Sequence, residues 1–156
     1  MLKPSDFRRG DTRYTDFITE GTVLGKNIPI DVSFEEELGK TEETLAAAMT
    51  AINEKLGFIE SEAARIMQST IDDAHLDEPA SDRAFEEFEG DEDDFEDITA
   101  EEFVKSLYPA ALGFEFSDSL ESCQAYLELN CDPDYFGGHR IHIEIDEENE
   151  ISCEGI

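Results

Sequence analysis

Four runs in the last third of the chain alternate apolar and polar residues with strict regularity. Leu112, Phe114 and Phe116 alternate with Gly113 and Glu115, and Ala125, Leu127, Leu129 and Cys131 with Tyr126, Glu128 and Asn130. Ile141, Ile143 and Ile145 alternate with Arg140, His142 and Glu144, and Ile151 and Cys153 with Ser152 and Glu154. A period of two places one set of side chains on each face of a pleated strand. Near the start, Ile28, Ile30, Val32 and Phe34 repeat the pattern against Asn27, Pro29, Asp31 and Ser33. With a weaker run over 14–24 and the turn Gly25-Lys26-Asn27, this predicts a β-hairpin. Pro29 has no N–H to donate, which predicts an edge strand or one whose residue-29 side is unpaired.

Between these groups the period becomes helical. Leu45, Ala48, Met49, Ile52 and Leu56 share one stripe, with Thr41 as N-cap and Glu42 and Glu43 in the first turn, where the helix dipole favours anions. Gly57 predicts a stop, and Ser61 a cap for a second helix carrying Ile66, Met67, Thr70 and Ile71; one long helix through Gly57 is the alternative, at about 1 kcal/mol for the interior glycine. Thr99-Ala100-Glu101-Glu102 reads as a capping box opening a helix through Phe103, Leu107 and Tyr108, stopped near Pro109. The predicted fold is α+β. One antiparallel sheet of about six strands carries helices packed on one face, in the order ββαα(α)ββββ. A length of 156 residues suits one domain over 1–156, with an irregular N-terminal arm at 1–13 and an acidic linker or docking segment at 76–98.

Charge narrows the partners. The chain has 41 acidic against 11 basic residues, a formal net charge of −30. Residues 1–65 hold 8 of the basic residues, four of them (Lys3, Arg8, Arg9, Arg13) near the N-terminus; residues 66–156 hold 28 of the acidic ones. Neutralising phosphates requires cations, so neither nucleic acid nor an anionic membrane surface is an expected partner. No stretch is long and apolar enough for a membrane span, and the N-terminal residues lack the apolar core of a signal peptide. Cys123, Cys131 and Cys153, an odd number, do not form a disulfide framework and read as buried free thiols in a cytoplasmic protein.

The acid run invites a calcium reading. An EF-hand loop begun at Asp91 places Phe95 where a ligand is needed and Glu96 where the turn glycine is needed, so it fails twice. His139 and His142, three apart on a strand, point to opposite faces, and no Cys-x-x-Cys occurs. No metal site, cofactor or catalytic residue is assigned. Glu128, Glu144 and His142 share the polar sheet face, which makes a small hydrolase or ligand-binding domain the alternative. A second alternative is a housekeeping acidic protein adapted to high salt. The leading expectation is a non-enzymatic binding protein for a basic protein partner. Glu86, Glu87, Asp91, Glu92, Asp93 and Asp94 supply charge there, and Phe88 and Phe95 act as anchors.

The segment Asp134-Tyr135-Phe136-Gly137-Gly138-His139-Arg140-Ile141-His142 through Gly155-Ile156 resembles the C-terminal hairpin of small, acidic, uncharacterised bacterial proteins of immunity-protein type. These share a Phe-Gly-Gly-His turn, an alternating strand, an acidic turn and a last strand ending in Gly. The resemblance implies a protein that binds and silences a toxin, and it carries no catalytic residues. It implies structural work for the Gly-His pair, Gly138 making the turn and His139 hydrogen-bonding across it. Asn149 stands where the turn is expected to hold Gly.

Overall fold

The computed structural model describes residues 1–156. Its strands are β1 (Arg8–Arg9), β2 (Phe17–Val23), β3 (Lys26–Phe34), β4 (Leu107–Phe116), β5 (Gln124–Cys131), β6 (Ile141–Ile145) and β7 (Ile151–Gly155). Its helices are α1 (Glu42–Ser61), α2 (Ala63–Asp72), α3 (Asp77–Glu87) and α4 (Ala100–Ser106). The strands form one sheet in sequential order, β1 to β7.

That sheet is mixed and seven-stranded, which corrects the expected antiparallel sheet of about six. Neighbours run antiparallel except β3 and β4, which pair parallel from Ile30↔Leu112 to Phe34↔Phe116. The reason lies in the connection: every helix falls between β3 and β4, and such a crossover returns the chain to the end where β3 began. The additional strand is β1, within the N-terminal residues read as irregular; Arg8 pairs with Ile18 and Arg9 with Phe17. Farther upstream, the Leu2 N–H donates to Asn53 Oδ1 and its carbonyl accepts from Asn53 Nδ2, both at 2.9 Å, tying this segment to α1. Pro29 lies on an interior strand, and the ladder to β4 starts one residue beyond it, at Ile30.

Alternation decides which face is buried. Ile28, Ile30, Val32 and Phe34 of β3, and their counterparts on β4 to β7, join Leu45, Ala48, Ile52, Ile59, Ile66 and Phe103 in one core. All four helices contribute to this core or pack beside it, so they cover one face of the sheet and leave the other bare.

The helix boundaries differ from expectation at three points. First, α1 runs through Gly57 to Ser61, where nothing lies within 4 Å of a Cβ at residue 57 and burial of Ile59 sustains the helix. Second, α4 ends at Ser106; Leu107 and Tyr108 open β4, and a register shift between Pro109 and Ala111 absorbs the proline. The capping box is formed as read: the Thr99 side chain accepts from the Glu102 N–H at 3.1 Å and Glu102 accepts from the Thr99 N–H at 2.9 Å. Third, residues 77–87 of the acidic segment are helical, with Leu76, Ala80 and Ser81 buried. Ser81 Oγ lies 3.1 Å from Asp97 Oδ1 and accepts from the Ile98 N–H at 3.0 Å, which ties the end of that segment back to α3.

Lys55 is buried on α1. Its ammonium donates to the Asp146 carbonyl at 2.5 Å and to Asn149 Oδ1 at 2.6 Å. Asn149 has φ +67° in the β6–β7 turn. Glycine would fit that backbone, but only a side chain can meet the buried ammonium, and this accounts for the asparagine.

Candidate functional site

The charged and aromatic residues singled out from the sequence lie together at the end of α3 and in the loop after it. Glu86 and Glu87 occupy the last turn of α3, where Arg83 reaches them at 3.2 and 3.5 Å. Phe88 ends the helix, and a short 3-10 turn over Glu92–Asp94 follows. The chain then doubles back so that the Phe95 ring meets Phe85 at 5.1 Å and Phe88 at 5.3 Å, both edge-on. Gly90 permits this fold-back, because a Cβ there would stand 2.6 Å from the Phe88 ring. The result is a three-ring cluster outside the main core, with Phe85 and Phe88 still 42% and 40% exposed. Asp91, Glu92, Asp93 and Asp94 surround it and are exposed. Phe85 completes the cluster beside the expected anchors Phe88 and Phe95; its spacing of three from Phe88 places both rings on one side of a helix.

On the bare face of the sheet, strand pairing assembles a second set of polar residues. One row runs Asp31, Gly113, Tyr126, Glu144 across β3 to β6. Beside it, Glu128 stands opposite His142. Together with Ser33, Glu115, Arg140 and Glu154 they line a groove of about 640 Å³. Gly113 leaves the middle of the row without a side chain, and Asp31 leans into that gap, its Oδ1 3.1 Å from where a Cβ would be.

Several partners in the groove are already engaged. Arg140 is ion-paired with Glu128, and Glu144 accepts from the Gln124 amide. His142 Nδ1 lies 3.9 Å from Glu128 Oε1. Asp31 is different: burial first, and the Glu128 charge second, push its carboxyl above the usual value. Tyr126 is likewise raised by burial, then by Glu115 and Glu144, so its phenol keeps its proton. Thus Glu128, Glu144 and His142 do converge on one face, as their alternation implied. The roles of Asp31 and Gly113 depend on which strands neighbour each other, and the parallel β3–β4 pairing that sets this was not in the sequence pattern.

The remaining candidates are structural. All three cysteines are buried and free, and burial raises each thiol, Cys123 to about 11. No group of three His, Cys, Asp or Glu side chains is close enough to hold a metal ion. In the Phe-Gly-Gly-His turn, Asp134 Oδ1 accepts from the N–H groups of Phe136 and Gly138 at 3.2 and 3.1 Å. Gly137 and Gly138 have φ +63° and +85°, a conformation suited to glycine. The bond across the turn runs from the His139 backbone N–H to the Phe136 carbonyl, at 3.2 Å. Tyr135 and Phe136 set their rings 6.2 and 6.1 Å from buried Phe103, so this turn packs against α4.

No helix is long and apolar enough to cross a membrane. Among known proteins, no curated protein and no solved structure matches the chain. The profile of one protein family does match, over residues 9–156, nearly the full length. The chain therefore belongs to the family described as uncharacterized protein conserved in bacteria (DUF2262).

Proposed function

We propose that this chain is a non-enzymatic binding protein that occludes a basic protein partner, in the manner of the immunity-type proteins its C-terminal hairpin resembles. The observation that carries this reading is the three-ring cluster of Phe85, Phe88 and Phe95, half exposed and ringed by carboxylates, with Arg83 alone supplying a nearby countercharge through its pairs with Glu86 and Glu87. A merely solubilising acid run has no use for aromatic rings held at its surface. Rings of this kind supply buried area on binding, while the carboxylates accelerate encounter with a positive surface. A toxin with a nucleic-acid-binding face presents such a surface. The reading supports an intracellular partner and assigns this chain no reaction.

The test uses the full chain as bait against a soluble extract of a bacterium carrying its gene. A second bait carries Phe88→Ala, Asp91→Asn, Asp93→Asn and Asp94→Asn. The expected result is a basic protein retained by the native bait at low salt and lost with the variant bait. It should also be lost near about 0.5 M salt, where screening shortens the reach of exposed charges to a few Å. Capture of no basic protein, or equal capture by both baits, refutes the proposal.

A further inference from the structure

The groove on the bare sheet face lies on the side opposite the helices and takes no part in the function proposed above. Its lining is strongly unbalanced: Asp31, Glu115, Glu128, Glu144 and Glu154 face a single arginine, Arg140, which Glu128 already holds. Residue 113, a glycine, adds no side chain to the floor, where the Asp31 carboxylate leans in, and Tyr126, 39% exposed, lines the groove beside it. A volume of about 640 Å³ is within the range of small-molecule sites. These carboxylates are spread along five strands, β3 to β7, and do not converge at metal-ligand distances, so a compact metal ion does not match them. A longer cation does match, because it can meet separated carboxylates at once. The raised carboxyl of Asp31 points the same way: nothing in the protein supplies a donor to offset its burial and the repulsion from Glu128.

We propose that this groove binds a small organic cation carrying an amine or guanidinium group. Its positive end sits above Gly113 against Asp31, and its aliphatic stem lies along the Tyr126 ring. Glu144, held in place by Gln124, receives the second positive end of a dication. A planar guanidinium suits both the tyrosine face and the carboxylate geometry.

The probe is agmatine, which has a guanidinium at one end and an amine at the other, titrated into the full chain and followed by amide and methyl NMR shifts. The expected result is saturable binding, with shifts confined to β3–β6 around Asp31, Gly113, Tyr126 and Glu144. Asp31→Asn should weaken it about tenfold or more, the loss of one charge-assisted contact. Glu144→Gln should weaken it too, whereas Asp93→Asn at the aromatic cluster should leave it unchanged. Four results overturn the proposal: no saturation, shifts centred on residues 85–97, native affinity in both groove variants, or binding of a lysine-rich peptide with none of agmatine. Since Asp93→Asn separates the two surfaces, failure here leaves the partner-capture test undisturbed.

Discussion

Lys55 ties α1 to the β6–β7 turn and gives a prediction whose size follows from the geometry. One buried ammonium serves two acceptors, Asn149 Oδ1 and the Asp146 carbonyl, which also takes the Asn149 N–H at 3.1 Å. Lys55→Met preserves most of the stem's packing but leaves both acceptors without that donor. Hydrogen bonds to charged groups contribute about 1.5–3 kcal/mol each, and two sharing a donor are less than additive, so the expected loss is about 2–4 kcal/mol. Asn149→Gly has two opposing effects. At φ +67°, glycine relieves about 1 kcal/mol of backbone strain, and the lost bond costs about 1.5–3, leaving a net destabilisation of about 0.5–2 kcal/mol. In the Lys55→Met background that bond is already absent, so Asn149→Gly should there be neutral or stabilising. Urea unfolding of the four proteins closes the cycle, with an expected coupling of about 1–3 kcal/mol. If Asn149→Gly stabilises the native chain as much as the Lys55→Met chain, the asparagine is not serving the lysine and the reasoning fails.

Three further outcomes follow from particular residues. Burial raises Cys123 to about 11 from 9.0, so between those pH values the native state holds a proton the unfolded chain has released. Stability should therefore fall across that window in the native chain relative to Cys123→Ala, and a constant difference between the two refutes it. Asp31 has the same sign at lower pH: its carboxyl is raised, so ionisation opposes folding, and Asp31→Asn should be more stable than the native chain at pH 7. That advantage should vanish as pH falls to the ordinary aspartate value of 3.8; a variant less stable at neutral pH contradicts it. Gly90→Ala should displace the Phe88 ring from Phe95 and collapse the ring-current shifts within the cluster. Because the site is exposed, global stability should change by less than about 1 kcal/mol; unchanged ring shifts count against the fold-back.

Much of the architecture is legible in local pattern. Alternation at 28–34, 112–116, 125–131 and 141–145 fixes both the strands and their inward faces, because burial of one face enforces the period. The capping box at Thr99 marks the start of α4 correctly. What local pattern does not carry is the pairing of β3 with β4. That contact joins residues separated by all the helices, and its direction is set by how they pack. The groove inherits this limit, since Asp31 meets Gly113 only through that pairing. Gly57 and Pro109 misplace helix ends for a related reason: tertiary burial of Ile59 and pairing of Leu107 with Cys131 outweigh local propensity. The aromatic cluster is intermediate. The spacing of Phe85 and Phe88 is visible, but the return of Phe95 depends on the Ser81 hydrogen bonds and on Gly90.

The claim that the acid-ringed aromatic cluster is the partner-binding surface is tested most directly by amide hydrogen exchange. The native chain is compared free and bound to the basic protein it captures. Slowed exchange should be confined to residues 85–97 and the adjoining end of α3, with the bare face of β3–β6 unchanged. Protection on that sheet face, with none over 85–97, contradicts the account.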